Sequence, residues 1–92
     1  MTTRSVTVTN ALGLHARAAA RFVHLATRFS SQIRVARDSK VMDGKSIMGI
    51  LLLAAARGTT LTISAEGPDE ASAVASLIEL VASGFGEESW NA

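Results

Sequence analysis

The chain predicts an α+β domain in the order βαββαβα, with a four-stranded, mainly antiparallel sheet and three helices covering one of its faces. Three observations carry this. Four short segments alternate apolar and polar residues at the period of a half-buried strand. Three other segments repeat apolar residues at the i, i+3, i+4, i+7 spacing of an amphipathic helix. The chain has 92 residues, 48% hydrophobic and only 18% charged, which suits one packed core and leaves no room for a second.

Taken in order, Arg4 to Thr9 alternates, with Val6 and Val8 on one face and Ser5, Thr7 and Thr9 on the other. Asn10 to Leu14 makes the turn into a first helix, whose buried stripe is Ala19, Phe22, Val23, Ala26 and Phe29. Arg17, Arg21 and Arg28 fall off that stripe, toward solvent, and Ser30-Ser31 ends the pattern. Gln32 to Arg37 is a second strand with Ile33 and Val35 inward, Asp38-Ser39 turns, and Val41-Met42 opens a short third strand. Ser46 stands where a helix cap belongs, ahead of Ile47, Ile50, Leu51 and Ala54 at helical spacing. Met48 and Leu52 lie off that stripe, and Gly49 inside the short helix implies close approach by a neighbour. Gly58 is the expected stop of this second helix.

Thr60 to Ala65 alternates again, burying Leu61, Ile63 and Ala65. Gly67-Pro68-Asp69-Glu70 is a strong helix start, with proline at the first position and acids in the first turn. Ala71, Val74, Leu77, Ile78 and Val81 form the clearest apolar stripe, ended by Gly84. Residues 1–86 therefore make the domain, and 87–92 a short acidic tail with Trp90, expected to be mobile.

Composition narrows the function classes. With no cysteine, neither disulfides nor thiolate metal ligands are available, in keeping with a reducing compartment. No N-terminal stretch has the form of a signal peptide, and the longest apolar run, Ile47 to Ala56, is too short to span a bilayer. A soluble cytoplasmic protein is the expectation. The net charge of +1 hides an asymmetry: up to Arg57 there are nine basic and two acidic side chains, and from Gly58 onward six acidic and no basic ones. The cationic part favours acidic partners or anionic ligands.

Chemistry concentrates in Asn10 to Ala20. A strand followed at once by a helix places His15 at a helix N-terminus, where backbone N–H groups lack helical partners and the dipole is positive. That environment favours the neutral, nucleophilic imidazole over the imidazolium. The same N–H groups, those of Ala16 and Arg17 first, would stabilise a phosphate placed on the ring, and the Arg17 side chain adds a charge-assisted donor. His15 reads as a phosphoryl acceptor. His24, nine residues away, lacks the spacing of a helical metal pair and reads as a surface histidine. No paired catalytic carboxylates, Ser/His/Asp set or metal cluster emerges, and no cofactor is implied. Gly44-Lys45-Ser46 mimics the end of a nucleotide-binding P-loop, but Ser39 replaces the first glycine and no parallel sheet is predicted.

Gly13-Leu14-His15-Ala16-Arg17, followed by Gly44-Lys45-Ser46-Ile47-Met48-Gly49, resembles HPr, the phosphohistidine carrier family of the bacterial phosphoenolpyruvate-dependent phosphotransferase system. The likeness runs from about Val6 to Gly86 and includes Glu66-Gly67-Pro68 and Ser83-Gly84-Phe85. The resemblance implies an open-faced β-sandwich and a carrier that is not itself an enzyme. Phosphate would pass from Enzyme I to the carrier and on to enzyme II A domains. By the match, His15 carries the phosphate on Nδ1 and Arg17 steadies it. Ser46 matches a serine that an HPr kinase phosphorylates in many relatives, and Ile47, Met48 and Leu51 match an apolar docking patch, flanked here by Ala20, Arg21 and His24. A monomer is expected. Ala18 departs from the family, which has proline there; alanine keeps the helix with slightly more freedom at its start.

Two other readings stand beside this one. In the first, a regulatory binding module of the nitrogen-related (NPr) or serine-kinase-controlled type, phosphorylation of Ser46 governs partner choice. In the second the cationic part binds RNA. Such domains stack bases on sheet aromatics, and here no strand carries an aromatic, so no nucleic-acid partner is expected.

Overall fold

The computed structural model describes residues 1–86. The elements follow as β1 (Thr2–Thr7), α1 (Ala16–Ala26), β2 (Gln32–Arg37), β3 (Lys40–Asp43), α2 (Ile47–Leu52), β4 (Thr60–Glu66) and α3 (Glu70–Ala82), with a tight turn at Gly84–Gly86. All strand pairs are antiparallel, in the order β1-β4-β2-β3. The pattern βαββαβα is thus observed, and the fold is an open-faced α+β sandwich.

Register sets which residues share a face. Val35 pairs with Ile63 and Val6 with Leu61, so Ile33, Val35, Leu61, Ile63 and Ala65 all point to the helix side and are fully buried. The opposite face is polar and open to water. There Thr3 donates to Ser64 at 3.2 Å and the Ser5 and Thr62 hydroxyls meet at 3.3 Å. Phe22 from α1, Ile50 from α2 and Val74, Leu77 and Val81 from α3 close over the inner face, with Leu53 and Phe85 completing the core.

Several boundaries differ from expectation for local reasons. The first strand is Thr2–Thr7, although Val8 stays extended and exchanges bonds with Thr59 and Gly58, each 2.8 Å. Phe29 lies beyond α1, which ends at Ala26, and is only half-buried. The second helix is shorter than its apolar run. Ala54 adopts φ +50, a left-handed conformation that stops α2 well before Gly58. Ile47 and Ala54 are therefore exposed rather than core, and Leu53 takes the inward place. Gly49 is buried, but a methyl there would meet its neighbours at an ordinary 3.4 Å, so no close approach requires it. In α3 the inward alanine is Ala73, and Ala71 is exposed.

Carboxylates join the elements at one end of the sheet. Asp69 accepts from the Ser30 and Ser31 amides at 2.8 and 2.9 Å and from the Ser31 hydroxyl, so it ties the α1–β2 loop to the start of α3. Gly67 sits against this contact at φ +151, where a Cβ would stand 2.7 Å from Ser31 Cα. Glu70 accepts from Thr2 Oγ1 at 2.7 Å and lies 3.1 Å from the N-terminal amine. Trp90 and the acidic tail lie outside the described residues. Among those described, no helix is long and apolar enough to cross a membrane.

Candidate functional site

The site grows out of the turn between β1 and α1. Asn10 is buried, and its Nδ2 donates to Gly13 O at 2.9 Å while Gly13 N donates to Asn10 O at 3.2 Å. Gly13 turns the chain at φ +64, and a Cβ there would stand 2.4 Å from Ala55 O, so no other residue fits. Leu14 N then donates to that same Ala55 carbonyl at 2.9 Å, and His15 N to Gly13 O at 3.0 Å. The loop after α2 thus buttresses the residues ahead of the histidine.

His15 is the N-cap of α1, in extended conformation (φ −80, ψ 177), and its carbonyl accepts from Ala19 N at 2.9 Å. Its side chain does not cap the helix, and the first turn contains no acidic residue. The residue is partly exposed, yet its Nε2 atom is buried. Ala16 and Arg17 follow as the first two helical residues, both exposed, whereas Ala18 and Ala19 are fully buried beneath them. The alanine at position 18 packs into the core without disturbing the helix start.

Ser46 begins α2 as expected. Its hydroxyl accepts from Gly49 N at 3.0 Å. Lys45, the lysine of the P-loop mimic, instead donates its ammonium to Phe29 O at 2.7 Å and so works as a brace. From this cap Met48, 67% exposed, and Ile47, 46% exposed, reach solvent, with Leu51 half-buried behind them. α2 packs against α1, and Ala20, Arg21 and His24 are exposed on α1. A groove of about 300 Å³ between α1 and α3 is lined by Arg21, His24, Leu25, Arg28 and Leu80. The apolar residues of α2 lack a charge among them, and the cations come from α1.

The part played by the segment after α2 was not visible in sequence. Ala55 supports the site through a backbone carbonyl, and a carbonyl leaves no residue-type signal. Leu52, 54% exposed and off the buried stripe as expected, adds apolar surface, as does Leu12, 67% exposed, which no pattern marked.

Comparison with known proteins decides the family. The family model described as the PTS HPr component phosphorylation site matches residues 2–83, nearly the whole domain. The chain belongs to the PTS-HPr family. It is 47% identical over 87 residues to the phosphocarrier protein HPr of Cupriavidus necator, covering 95% of this chain and 98% of that one. Among solved structures it is similar to HPr-C-His from Thermoanaerobacter tengcongensis, with a TM-score of 0.90 at 46% identity, over 94% of this chain and 97% of that one. It is also similar to a structure described as an HPr dimer from the same organism, with a TM-score of 0.74 at 46% identity, over 92% and 98% of the two chains. As an HPr, the chain is a phosphocarrier of the phosphotransferase system, a relay for a phosphoryl group rather than an enzyme in its own right.

Proposed function

We propose that His15 is the residue that carries the phosphoryl group, on Nδ1. The supporting observation is the ring's setting: Nε2 is buried while the residue as a whole reaches solvent, at a helix start free of acidic side chains. The Nδ1 lone pair attacks the phosphorus of the phosphohistidine on Enzyme I. A new N–P bond forms as the donor's N–P bond breaks, and the donor imidazole leaves with its electron pair. The phosphate then lies over the first turn of α1, where the Ala16 and Arg17 amides and the Arg17 guanidinium favour its charge. Passage to an enzyme II A domain repeats the exchange with this protein as donor.

Docking uses Ala20, Arg21 and His24 of α1 with Ile47, Met48 and Leu51 of α2. An exposed methionine suits a surface that meets more than one partner, and the arginines steer acidic ones. Phosphorylation of Ser46 regulates this face. A phosphate at the start of α2 is locally tolerated by the helix but repels an acidic partner. The working unit is residues 1–86, acting as a monomer in the cytoplasm.

Incubation with Enzyme I and labelled phosphoenolpyruvate tests the assignment. The expected product is an acid-labile, base-stable label that is lost in His15→Ala. Label retained in His15→Ala would contradict it. For Ser46, a serine kinase with ATP should give an acid-stable adduct absent from Ser46→Ala, and that adduct should slow phosphoryl acceptance; acceptance at an unchanged rate would remove the regulatory role.

A further inference from the structure

Arg37 lies at the end of β2, and its guanidinium crosses to the far end of α2. Its Nη1 donates to Leu53 O at 2.8 Å and to Ala54 O at 3.3 Å. These are carbonyls at the C-terminus of a short helix, where the dipole is negative and a cation is favoured. They also flank a strained corner. Ala54 holds φ +50, a left-handed conformation that strains any residue with a Cβ. Immediately beyond that corner, Ala55 O receives Leu14 N at 2.9 Å, and the same carbonyl is what a side chain at Gly13 would strike. A physical chain therefore runs from Arg37 through the Ala54 corner to Ala55, then to Leu14 and His15.

We propose that Arg37 is a positioning residue for phosphoryl transfer: it pins the strained Ala54 corner, so that Ala55 holds the Leu14–His15 backbone and the imidazole at the helix start. The inference rests on His15 being the acceptor. Arg37 acts through the corner and needs no contact with partner or phosphate. Its neighbour Asp38, 3.8 Å from Nε and almost fully exposed, does not replace the carbonyls as its anchor.

The test compares wild type with Arg37→Met, Arg37→Lys, Ala54→Gly and the Arg37→Met/Ala54→Gly double variant. Two quantities are read: hydrogen exchange of the Leu14 amide by NMR, and the kinetics of phosphoryl acceptance from Enzyme I. Arg37→Met is expected to speed Leu14 exchange about tenfold, through loss of the guanidinium's hydrogen bonds to Leu53 O and Ala54 O, with the amides of β4 and α3 unaffected. It should lower kcat several-fold while leaving KM for the carrier unchanged. Ala54→Gly removes the strain, so in the double variant both quantities should return toward wild type. Unchanged Leu14 exchange in Arg37→Met would overturn the proposal, as would equal acceleration of every core amide. A raised KM with kcat kept, restored by Arg37→Lys but not by Ala54→Gly, would also overturn it, making Arg37 a docking charge. Leu14 exchange reads the corner whether or not His15 takes the phosphate. Failure of the acceptor assignment would instead show as label retained in His15→Ala.

Discussion

At the scale of single residues, the site depends on a few atoms whose replacement has a definite sign. Gly13→Ala forces a Cβ to 2.4 Å from Ala55 O at a left-handed φ, so it should destabilise the fold by about 2–4 kcal/mol, measured by denaturant unfolding. It should slow phosphoryl acceptance even where the protein remains folded. Ser46 offers a separable pair. Ser46→Ala removes the bond to Gly49 N and should cost about 1 kcal/mol, whereas Ser46→Asp keeps an acceptor at the cap. Ser46→Asp should therefore be the more stable of the two yet bind an acidic partner more weakly, a reversal that calorimetry of folding and of binding would show. Residue type and spacing in the chain placed His15 at the start of α1 and Ser46 at the cap of α2, where both stand. The chain was silent about Ala55, because support through a carbonyl depends on where two loops meet.

At the scale of elements, the strands were readable from the chain nearly to the residue where alternation was clean, as in Gln32–Arg37. The second helix was not. Ile47 to Ala56 is apolar at almost every position, so periodicity could not distinguish the inward Leu53 from the outward Ile47, and nothing marked Ala54 as the stop. The joint between the α1–β2 loop and α3 was equally hidden, since Asp69 reads as an ordinary helix-start acid. Hydrogen bonds from the Ser31 hydroxyl and then the Ser30 amide hold the Asp69 carboxyl below its ordinary value of 3.8. Those from Thr2 and the N-terminal amine hold Glu70 below 4.5. Because both are depressed in the folded state, their stabilisation is complete above those ordinary values and lost as pH falls through the lower, folded ones. Unfolding midpoints should thus drop on acidification below about pH 4, and Asp69→Asn should be less stable at neutral pH with a flatter acid limb. An acid limb of unchanged steepness in Asp69→Asn would show that the Ser30–Ser31 contact contributes nothing.

At the scale of the whole molecule, the sheet gives one face to the core and one to water. Charge is divided along the chain, with all nine basic side chains at or before Arg57. Association with an acidic partner should slow as salt rises, and Arg21→Glu should slow it further without changing stability appreciably, which stopped-flow mixing would measure. The order of elements and the carrier chemistry were both readable from the chain, because alternation, helical spacing and the two motifs agree with one another. What joins them, one loop braced against another, belongs to tertiary structure. The most direct measurement is NMR of the His15 ring nitrogens after phosphorylation by Enzyme I and phosphoenolpyruvate. Coupling to phosphorus at Nδ1, with Nε2 uncoupled, is the expected result. Phosphorus bonded to the buried Nε2, or to any side chain other than His15, would contradict the proposed assignment.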